Sequence, residues 1–156
     1  MNNQEFSWQE FSKMPLVGII RNLTFDQIAK ILPLYHAAGL TTIEITMNTP
    51  FAVDIIRYAV EQFKGRLNVG AGTVCSTDDL KIALEAGAQF IVTPILNPEV
   101  ISTCVKSKIP VFPGAYTPTE IYQAWELGAD MVKVYPATAL GPDYIKDVKA
   151  VSYTHL

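Results

Sequence analysis

Six short apolar segments recur along the chain at a spacing of about 20 to 26 residues, and this repetition limits the possible folds more than any other feature. The segments read "PLVGIIR" (15–21), "TIEIT" (42–46), "LNVGAGT" (67–73), "FIVTP" (90–94), "IPVFPGA" (109–115) and "MVKVYP" (131–136). Short runs rich in Val and Ile are typical of strands that are covered on both faces, as in parallel sheets flanked by helices. The pattern therefore predicts six parallel strands.

Each predicted strand is followed by a helix-start signal, which is a small polar residue or Gly with Pro next to it or with an acid or amide three residues later. These signals are Thr24 with Gln27, Thr49 with Pro50, Ser76 with Asp79, Asn97 with Pro98, Thr117 with Glu120, and Gly141 with Pro142. Glycines suited to the position after a helix end three of the helical segments: Gly39, Gly87 and Gly128. The sequence thus predicts six β/α units in succession.

Repeated β/α units form either an open doubly wound sheet or a closed barrel. Charged residues and threonines recur at the carboxyl ends of several strands, where barrel active sites are built. The segment "GAG" (70–72) lacks the third glycine of a dinucleotide-binding loop. We therefore predict an α/β fold of the (β/α)₈ TIM-barrel type, with an extra helix around Phe6, Phe11 and Met14 covering the bottom of the barrel.

A complete barrel needs eight units and about 200 residues or more, whereas six units are predicted here. We therefore interpret residues 1–156 as a single barrel domain truncated after about six β/α units. The segment "SYTHL" (152–156) follows the sixth predicted helix without a cap or a further strand, and we interpret it as a foreign or altered tail. We expect such an open barrel to be unstable, because its edge strands are unpaired, and to lack the phosphate-binding loops that often follow strands 7 and 8 of complete barrels.

Charge and hydropathy exclude several classes of partner. A net charge of -3 and a pI near 5.3 leave no excess of basic residues to neutralise nucleic acid or an anionic membrane. No apolar stretch approaches the roughly 18 residues of a membrane span, and the first residues do not resemble a signal peptide. We therefore expect a cytoplasmic protein, in which Cys75 and Cys104 are small buried apolar residues.

The second predicted strand carries an acid on its inward face. With a period of two, Thr42, Glu44 and Thr46 share one face, and Ile43 and Ile45 share the other. The two isoleucines suit the side that packs against helices. Glu44 is therefore predicted to point into the barrel.

The sixth predicted strand places a lysine on the same kind of face. Val132 and Val134 suit the helix side, so Met131, Lys133 and Tyr135 point inward. Inward residues of alternate strands occupy the same layers of a barrel, which places Lys133 opposite Glu44. A structural ion pair, in which the two charges only compensate each other, explains this pattern equally well.

A catalytic interpretation has a clear chemical basis. A lysine at its ordinary pKa of about 10.4 is protonated at pH 7, but an apolar interior favours the neutral amine. A neutral amine adds to a keto group and forms a Schiff base, and a carboxylate carries the protons. This chemistry needs no cofactor or metal. We expect neither His36 nor His155 to bind one.

Two other classes of function use the same residues. In a barrel isomerase or decarboxylase, Glu44 would abstract a proton while Lys133 acted as an electrostatic clamp without a covalent bond. In a non-catalytic barrel, the pair would be purely structural.

Six motifs in order resemble one enzyme family, the class I 2-keto-3-deoxy-6-phosphogluconate (KDPG) and 4-hydroxy-2-oxoglutarate (KHG) aldolases. The motifs are "GIIRNLT", "IEITMNTP", "VGAGTV", "FIVTP", "FPGAYTPTE" and "VKVYPATALGPDYIK", and the similarity extends from about residue 15 to 151. The resemblance implies a homotrimeric (β/α)₈ lyase that acts on a keto acid. It also implies that Lys133 forms the Schiff base, that Glu44 is the general acid and base, and that Thr73 helps to bind the pyruvate carboxylate.

The substrate side of the resemblance is closer to the 2-keto-3-deoxy-6-phosphogalactonate branch. Asn48 stands where phosphogluconate enzymes typically have an arginine, and Arg21 matches an arginine of the galactonate branch. Asn48 as a helix cap and Arg21 as a surface residue are the alternatives. We also assign Thr93 and Pro94 to substrate binding. The implied reaction yields pyruvate and glyceraldehyde 3-phosphate from the phosphorylated acid, and pyruvate and glyoxylate from 4-hydroxy-2-oxoglutarate.

Overall fold

The computed structural model describes residues 5–151, so the predicted tail at 152–156, including His155, lies outside the described residues. Helix α1 (Trp8–Lys13) precedes six β/α units. The strands are β1 (Gly18–Ile20), β2 (Thr42–Thr46), β3 (Asn68–Gly72), β4 (Ile91–Val92), β5 (Val111–Phe112), β6 (Gly114–Ala115) and β7 (Lys133–Val134). The helices that follow them are α2 (Phe25–Ala37), α3 (Ala52–Gln62), α4 (Thr77–Glu85), α5 (Pro98–Lys106), α6 (Pro118–Glu126) and α7 (Gly141–Val151).

All strand pairs in the described chain are parallel, in the order β1-β2-β3-β4-β5 for one sheet and β6-β7 for the other. The α/β class with parallel strands is confirmed, and the sheet does not close within residues 5–151. The fifth predicted strand is divided at Pro113, which has no N–H for a ladder. Before this residue the strand pairs with β4, and after it the strand pairs with β7.

Most of the predicted helix starts are confirmed. Thr24 with Gln27, Ser76 with Asp79 and Thr117 with Glu120 each form a complete capping box, and Asn97 caps α5 with Pro98 in its first turn. Three glycines have the positive φ expected after a helix, namely Gly39 (84°), Gly87 (98°) and Gly128 (90°).

The helix start predicted at Thr49 is wrong. Helix α3 begins only after Phe51, and no side chain caps it, so Asn48 is not its cap either. Thr49 is 3% exposed, and its hydroxyl lies 2.9 Å from Oγ1 of Thr46 and accepts a hydrogen bond from the amide of Asn22 at 3.2 Å. The Thr49 side chain, which was expected to cap α3, therefore bonds to β2 and to the turn after β1 instead.

The strands have two apolar faces with different partners. Ile43, Ile45, Val69 and Ile91 belong to the large core between strands and helices. The opposite face carries a second cluster, made of Phe6, Phe11, Phe90, Val92 and Phe112. Parallel strands with both faces buried account for the continuous apolar runs in the sequence.

Helix α1 lies against the amino ends of the strands. The side-chain oxygen of Asn68, at the start of β3, accepts a hydrogen bond from the amide of Ser7 at 2.7 Å, and its side-chain nitrogen donates to the Ser7 carbonyl at 3.0 Å. Phe6 and Phe11 pack against Phe112 in the inner cluster. The predicted extra helix at the bottom is confirmed, and it leaves the carboxyl ends of the strands free for a site.

The two cysteines differ in their surroundings. Both are free thiols; Cys104 is fully buried, as predicted, whereas Cys75 is exposed, and the prediction for Cys75 was wrong. Burial raises the pKa of Cys104 to about 12, so it is not a reactive thiol. Over residues 5–151, no helix combines the length and the apolar character needed to cross a bilayer.

Candidate active site

Glu44 is the middle residue of β2, and its side chain lies on the inner face of the sheet, away from the helices. Its neighbours Ile43 and Ile45 belong to the core on the helix side, so the alternation of the strand turns Glu44 to the opposite face. The residue is 1% exposed. The inward orientation predicted from the sequence is therefore confirmed.

Lys133 opens β7 and faces the same space. Its amide donates to the carbonyl of Pro113 at 2.9 Å, which fixes the strand, and Val132 packs into the core on the helix side. Its Nζ lies 3.8 Å from Oε1 of Glu44 and 5.2 Å from the ring centre of Tyr135. The Lys133 side chain is 29% exposed, so the amine is accessible to a small molecule.

A cavity of about 220 Å³ surrounds this pair. Its lining consists of six apolar residues and the two charged ones, namely Val17, Ile19, Glu44, Val92, Phe112, Met131, Val132 and Lys133. Burial raises the pKa of Glu44 above the ordinary carboxyl value, and the charges of Lys133 and Arg21 lower it in part. A carboxyl group in this position is able to exchange a proton with a molecule bound at Lys133.

The residues predicted to bind substrate lie at the carboxyl ends of the strands, outside the lining of this cavity. Arg21 directly follows β1 and Asn48 follows β2, and both side chains are exposed. Thr73 directly follows β3, is half-buried, and has the uncommon positive φ of 57°. Such left-handed non-glycine residues are frequent at ligand-binding turns.

Thr93 and Pro94 follow β4. Thr93 is fully buried, and its hydroxyl donates to the carbonyl of Ile95 and accepts from the amide of Gly114 at 3.4 Å. These bonds hold the turn after β4 to the start of β6. Pro94 is half-buried in that turn.

Sequence reasoning missed most of the apolar lining. Ile19 pairs in register with Glu44, and Val92 and Phe112 belong to the inner cluster. All three follow from the period-two alternation of β1, β4 and β5, which is the same rule that predicts the inward direction of Glu44, Lys133 and Met131.

Metal binding finds no support among the described residues. Between residues 5 and 151, no group of three or more His, Cys, Asp or Glu residues is close enough to hold an ion. His36 lies near the end of α2, with its ring centre 6.3 Å from that of Phe63.

The pair of Lys133 and Glu44 has a different chemical capacity. An amine facing a carboxylate in an apolar cavity is suited to covalent addition to a carbonyl with proton transfer.

Comparison with known proteins decides the family. The family model "KDPG and KHG aldolase" matches residues 9–155. The chain belongs to the KDPG and KHG aldolase family. The 2-dehydro-3-deoxy-6-phosphogalactonate aldolase of Escherichia coli K12 is 37% identical over 144 residues, which cover 92% of this chain and 69% of that enzyme.

Two further comparisons agree with this membership. The 2-dehydro-3-deoxy-phosphogluconate aldolase of Treponema pallidum is 34% identical over 92% of this chain and 70% of its own length. A solved structure described as native KDPGal superposes with a TM-score of 0.88 at 35% identity, covering 96% of this chain and 72% of that one. The KDPG and KHG aldolases therefore share this parallel α/β architecture along almost the whole of the present chain.

Proposed function

We propose that the protein is a class I Schiff-base aldolase that cleaves a 2-keto-3-deoxy-6-phospho sugar acid into pyruvate and glyceraldehyde 3-phosphate. The 3.8 Å separation of Lys133 Nζ and Glu44 Oε1 inside an apolar cavity is the observation that carries the proposal. Cleavage of 4-hydroxy-2-oxoglutarate into pyruvate and glyoxylate is a second reaction of the same site. Membership of the KDPG and KHG aldolase family supports both.

In the first stage, the neutral amine of Lys133 adds to the C2 carbonyl of the substrate and gives a carbinolamine. Protonated Glu44 donates its proton to the departing hydroxyl, which leaves as water. The product is a protonated imine between Lys133 and C2. Its positive nitrogen withdraws electrons from the neighbouring carbons.

In the second stage, the Glu44 carboxylate takes the proton of the C4 hydroxyl. The C3–C4 electron pair moves toward the imine nitrogen, so the aldehyde leaves and an enamine remains on Lys133. Glu44 then returns its proton to C3, and water releases pyruvate from the lysine. One acid alternates between base and donor, which suits a carboxyl whose pKa is raised by burial.

We assign substrate binding to the carboxyl-end residues. Thr73 binds the pyruvate carboxylate, Arg21 and Asn48 contact the sugar-acid part, and Pro94 borders the site. Thr93 contributes by holding the turn that carries Pro94, because its hydroxyl is bonded to Ile95 and Gly114. The exposed position of Arg21 at the end of β1 supports a role in attracting an anionic substrate.

Subunit association and location are part of the proposal. We assign a homotrimer in the cytoplasm, with no cofactor required by the scheme above. Large exposed apolar side chains, including Leu34 at 70% and Phe51 at 75% exposure, offer surface for contacts between subunits. Two free thiols agree with a reducing compartment.

Trapping of the imine tests the proposal directly. The protein is incubated with pyruvate, reduced with borohydride, digested and analysed by mass spectrometry. We expect a reduced adduct on the peptide that contains Lys133, and none after Lys133→Arg. A folded protein that forms no adduct would favour the non-covalent isomerase or decarboxylase, or the non-catalytic barrel.

A further inference from the structure

Two glycines of β3 lie on the same face of the sheet as Glu44. In the register of β2 and β3, Glu44 pairs with Gly70 and Thr46 pairs with Gly72. Ala71, between the two glycines, packs into the core on the helix side. Partners in parallel strands share a face, so both glycines point into the barrel interior.

The space above each glycine is taken by a different side chain. A Cβ built on Gly70 would lie 2.5 Å from the ring of Phe90. A Cβ built on Gly72 would lie 2.8 Å from both Cδ and Oε1 of Glu44, and 3.2 Å from Oε2. The carboxylate of Glu44 therefore occupies the volume that any other residue at position 72 would fill.

The requirement at position 72 concerns space and not backbone conformation. Gly72 lies in an extended strand, and its φ is outside the left-handed region. Alanine is therefore compatible with the backbone there. The atoms it would meet belong to the free end of a side chain, so the carboxylate is displaced before the strands are.

We propose that Gly72 is a positioning residue for the aldolase reaction, because its bare Cα lets the carboxylate of Glu44 lie over β3 within reach of the Lys133 amine. The inference rests on the proposed function and extends it to a residue that touches neither substrate nor lysine. Displacing the carboxylate by about 1 Å lowers the rate of a positioned proton transfer by about 100-fold.

The measurement is the exchange of pyruvate methyl protons for deuterium, followed by NMR in D₂O. This exchange requires the imine and the base, but no phosphorylated substrate. Gly72→Ala is expected to lower the exchange rate by about 100-fold. After an incubation long enough to reach the imine equilibrium, the borohydride-trapped adduct should still form on Lys133, because that equilibrium does not depend on how fast Glu44 transfers its proton. A lower exchange rate with an intact adduct therefore separates the rate of proton transfer from the ability to form the imine.

A double-mutant cycle with Glu44→Gln asks whether Gly72 acts through Glu44. If it does, Gly72→Ala adds no further loss once Glu44→Gln is present. Ala71→Gly is the matched control on the same strand: it lowers the melting temperature yet leaves exchange within about twofold of the wild type. Exchange near the wild-type rate in Gly72→Ala, or losses that multiply in the double variant, would overturn the positioning role.

Melting temperatures give a test that does not depend on activity. Gly72→Ala is expected to lower the melting temperature when Glu44 is present and to leave it unchanged in a Glu44→Ala background, where the carboxylate is gone. An equal decrease in both backgrounds would refute the steric link. Absence of any adduct on wild-type Lys133 would overturn the proposed function itself, and that outcome is distinct from normal exchange in Gly72→Ala.

Discussion

Oε1 of Glu44 lies 3.8 Å from Nζ of Lys133, while Oε2 of the same carboxylate is buried and has no hydrogen-bond partner in the described part of the chain. A buried oxygen without a partner disfavours the ionised form, which explains why burial is the main cause of the raised pKa of Glu44. The lysine compensates this charge only in part. Ionised Glu44 therefore lowers the stability of the fold, but it supplies the proton-transferring group that the proposed reaction needs.

Glu44→Gln is expected to stabilise the protein and to inactivate it. A carboxyl whose pKa is raised by folding contributes stability below its ordinary pKa and loses it as the pH rises through the folded pKa. The variant should match the wild type in acid and exceed it by about 1 kcal/mol in free energy of unfolding at pH 8. Pyruvate proton exchange should fall by about 100-fold or more. Urea titrations at several pH values measure the gap, and a gap independent of pH would contradict this account.

Lys133→Met is expected to change stability over the same pH range as Glu44→Gln but with the opposite sign. The charge of Lys133 lowers the pKa of Glu44, so without it the carboxylate is more costly to ionise. We expect a loss of about 1–2 kcal/mol at pH 8 that shrinks in acid, below the effect for a fully buried pair because Lys133 is 29% exposed. Adding Glu44→Gln should restore stability. Lys81→Met, at an exposed position of α4, is the control and should show no such pH dependence.

Arg21→Gln tests whether the charge of Arg21, at the carboxyl end of β1, acts on Glu44. Arg21 lowers the pKa of Glu44. Removing the Arg21 charge should therefore raise the pH below which pyruvate proton exchange becomes slow, which is the acid limb of its pH profile. If Arg21 also binds the sugar acid, KM for the phosphorylated substrate should rise about tenfold, as expected for loss of one charge-assisted hydrogen bond. Arg57→Gln, which removes an exposed arginine 3.7 Å from Asp54, should change neither quantity. An unshifted acid limb in Arg21→Gln would refute the coupling.

Local patterns in the sequence predict those parts of the fold that depend on near neighbours. Ile43 and Ile45 bracket Glu44 with period two, and this alternation suffices to place the acid inside. Capping boxes such as Thr24 with Gln27 span four residues and form as predicted. The inward direction of Lys133 follows from the same rule.

Contacts between distant segments account for what the sequence did not predict. Thr49 looks like a helix cap, but its hydroxyl bonds to Asn22, 27 positions away. The change of partner strand at Pro113 depends on where β4 and β7 lie in space. Likewise, the need for glycine at position 72 appears only when β2 is placed beside β3. None of these contacts leaves a periodic signal in the chain.

Tyr35 joins distant segments in the same way. Its hydroxyl donates to the carbonyl of Thr42 at 2.6 Å and accepts from the amide of Gly18 at 3.0 Å, which fastens α2 to β1 and β2. Tyr35→Phe leaves two backbone groups without this partner, so we expect a loss of about 1–2 kcal/mol in free energy of unfolding at pH 7.

The pH dependence identifies the hydroxyl as the cause. Burial raises the pKa of Tyr35, although the hydrogen bond from Gly18 lowers it in part. Wild-type stability is therefore lost as the pH rises above the ordinary tyrosine value, while Tyr35→Phe has no proton to lose there. The gap between the two proteins should narrow in alkaline urea titrations. Tyr122→Phe, at a position 56% exposed on α6, should stay within about 0.5 kcal/mol of the wild type throughout. A gap for Tyr35→Phe that stays constant above pH 10 would show that packing, and not the hydroxyl, joins α2 to the sheet.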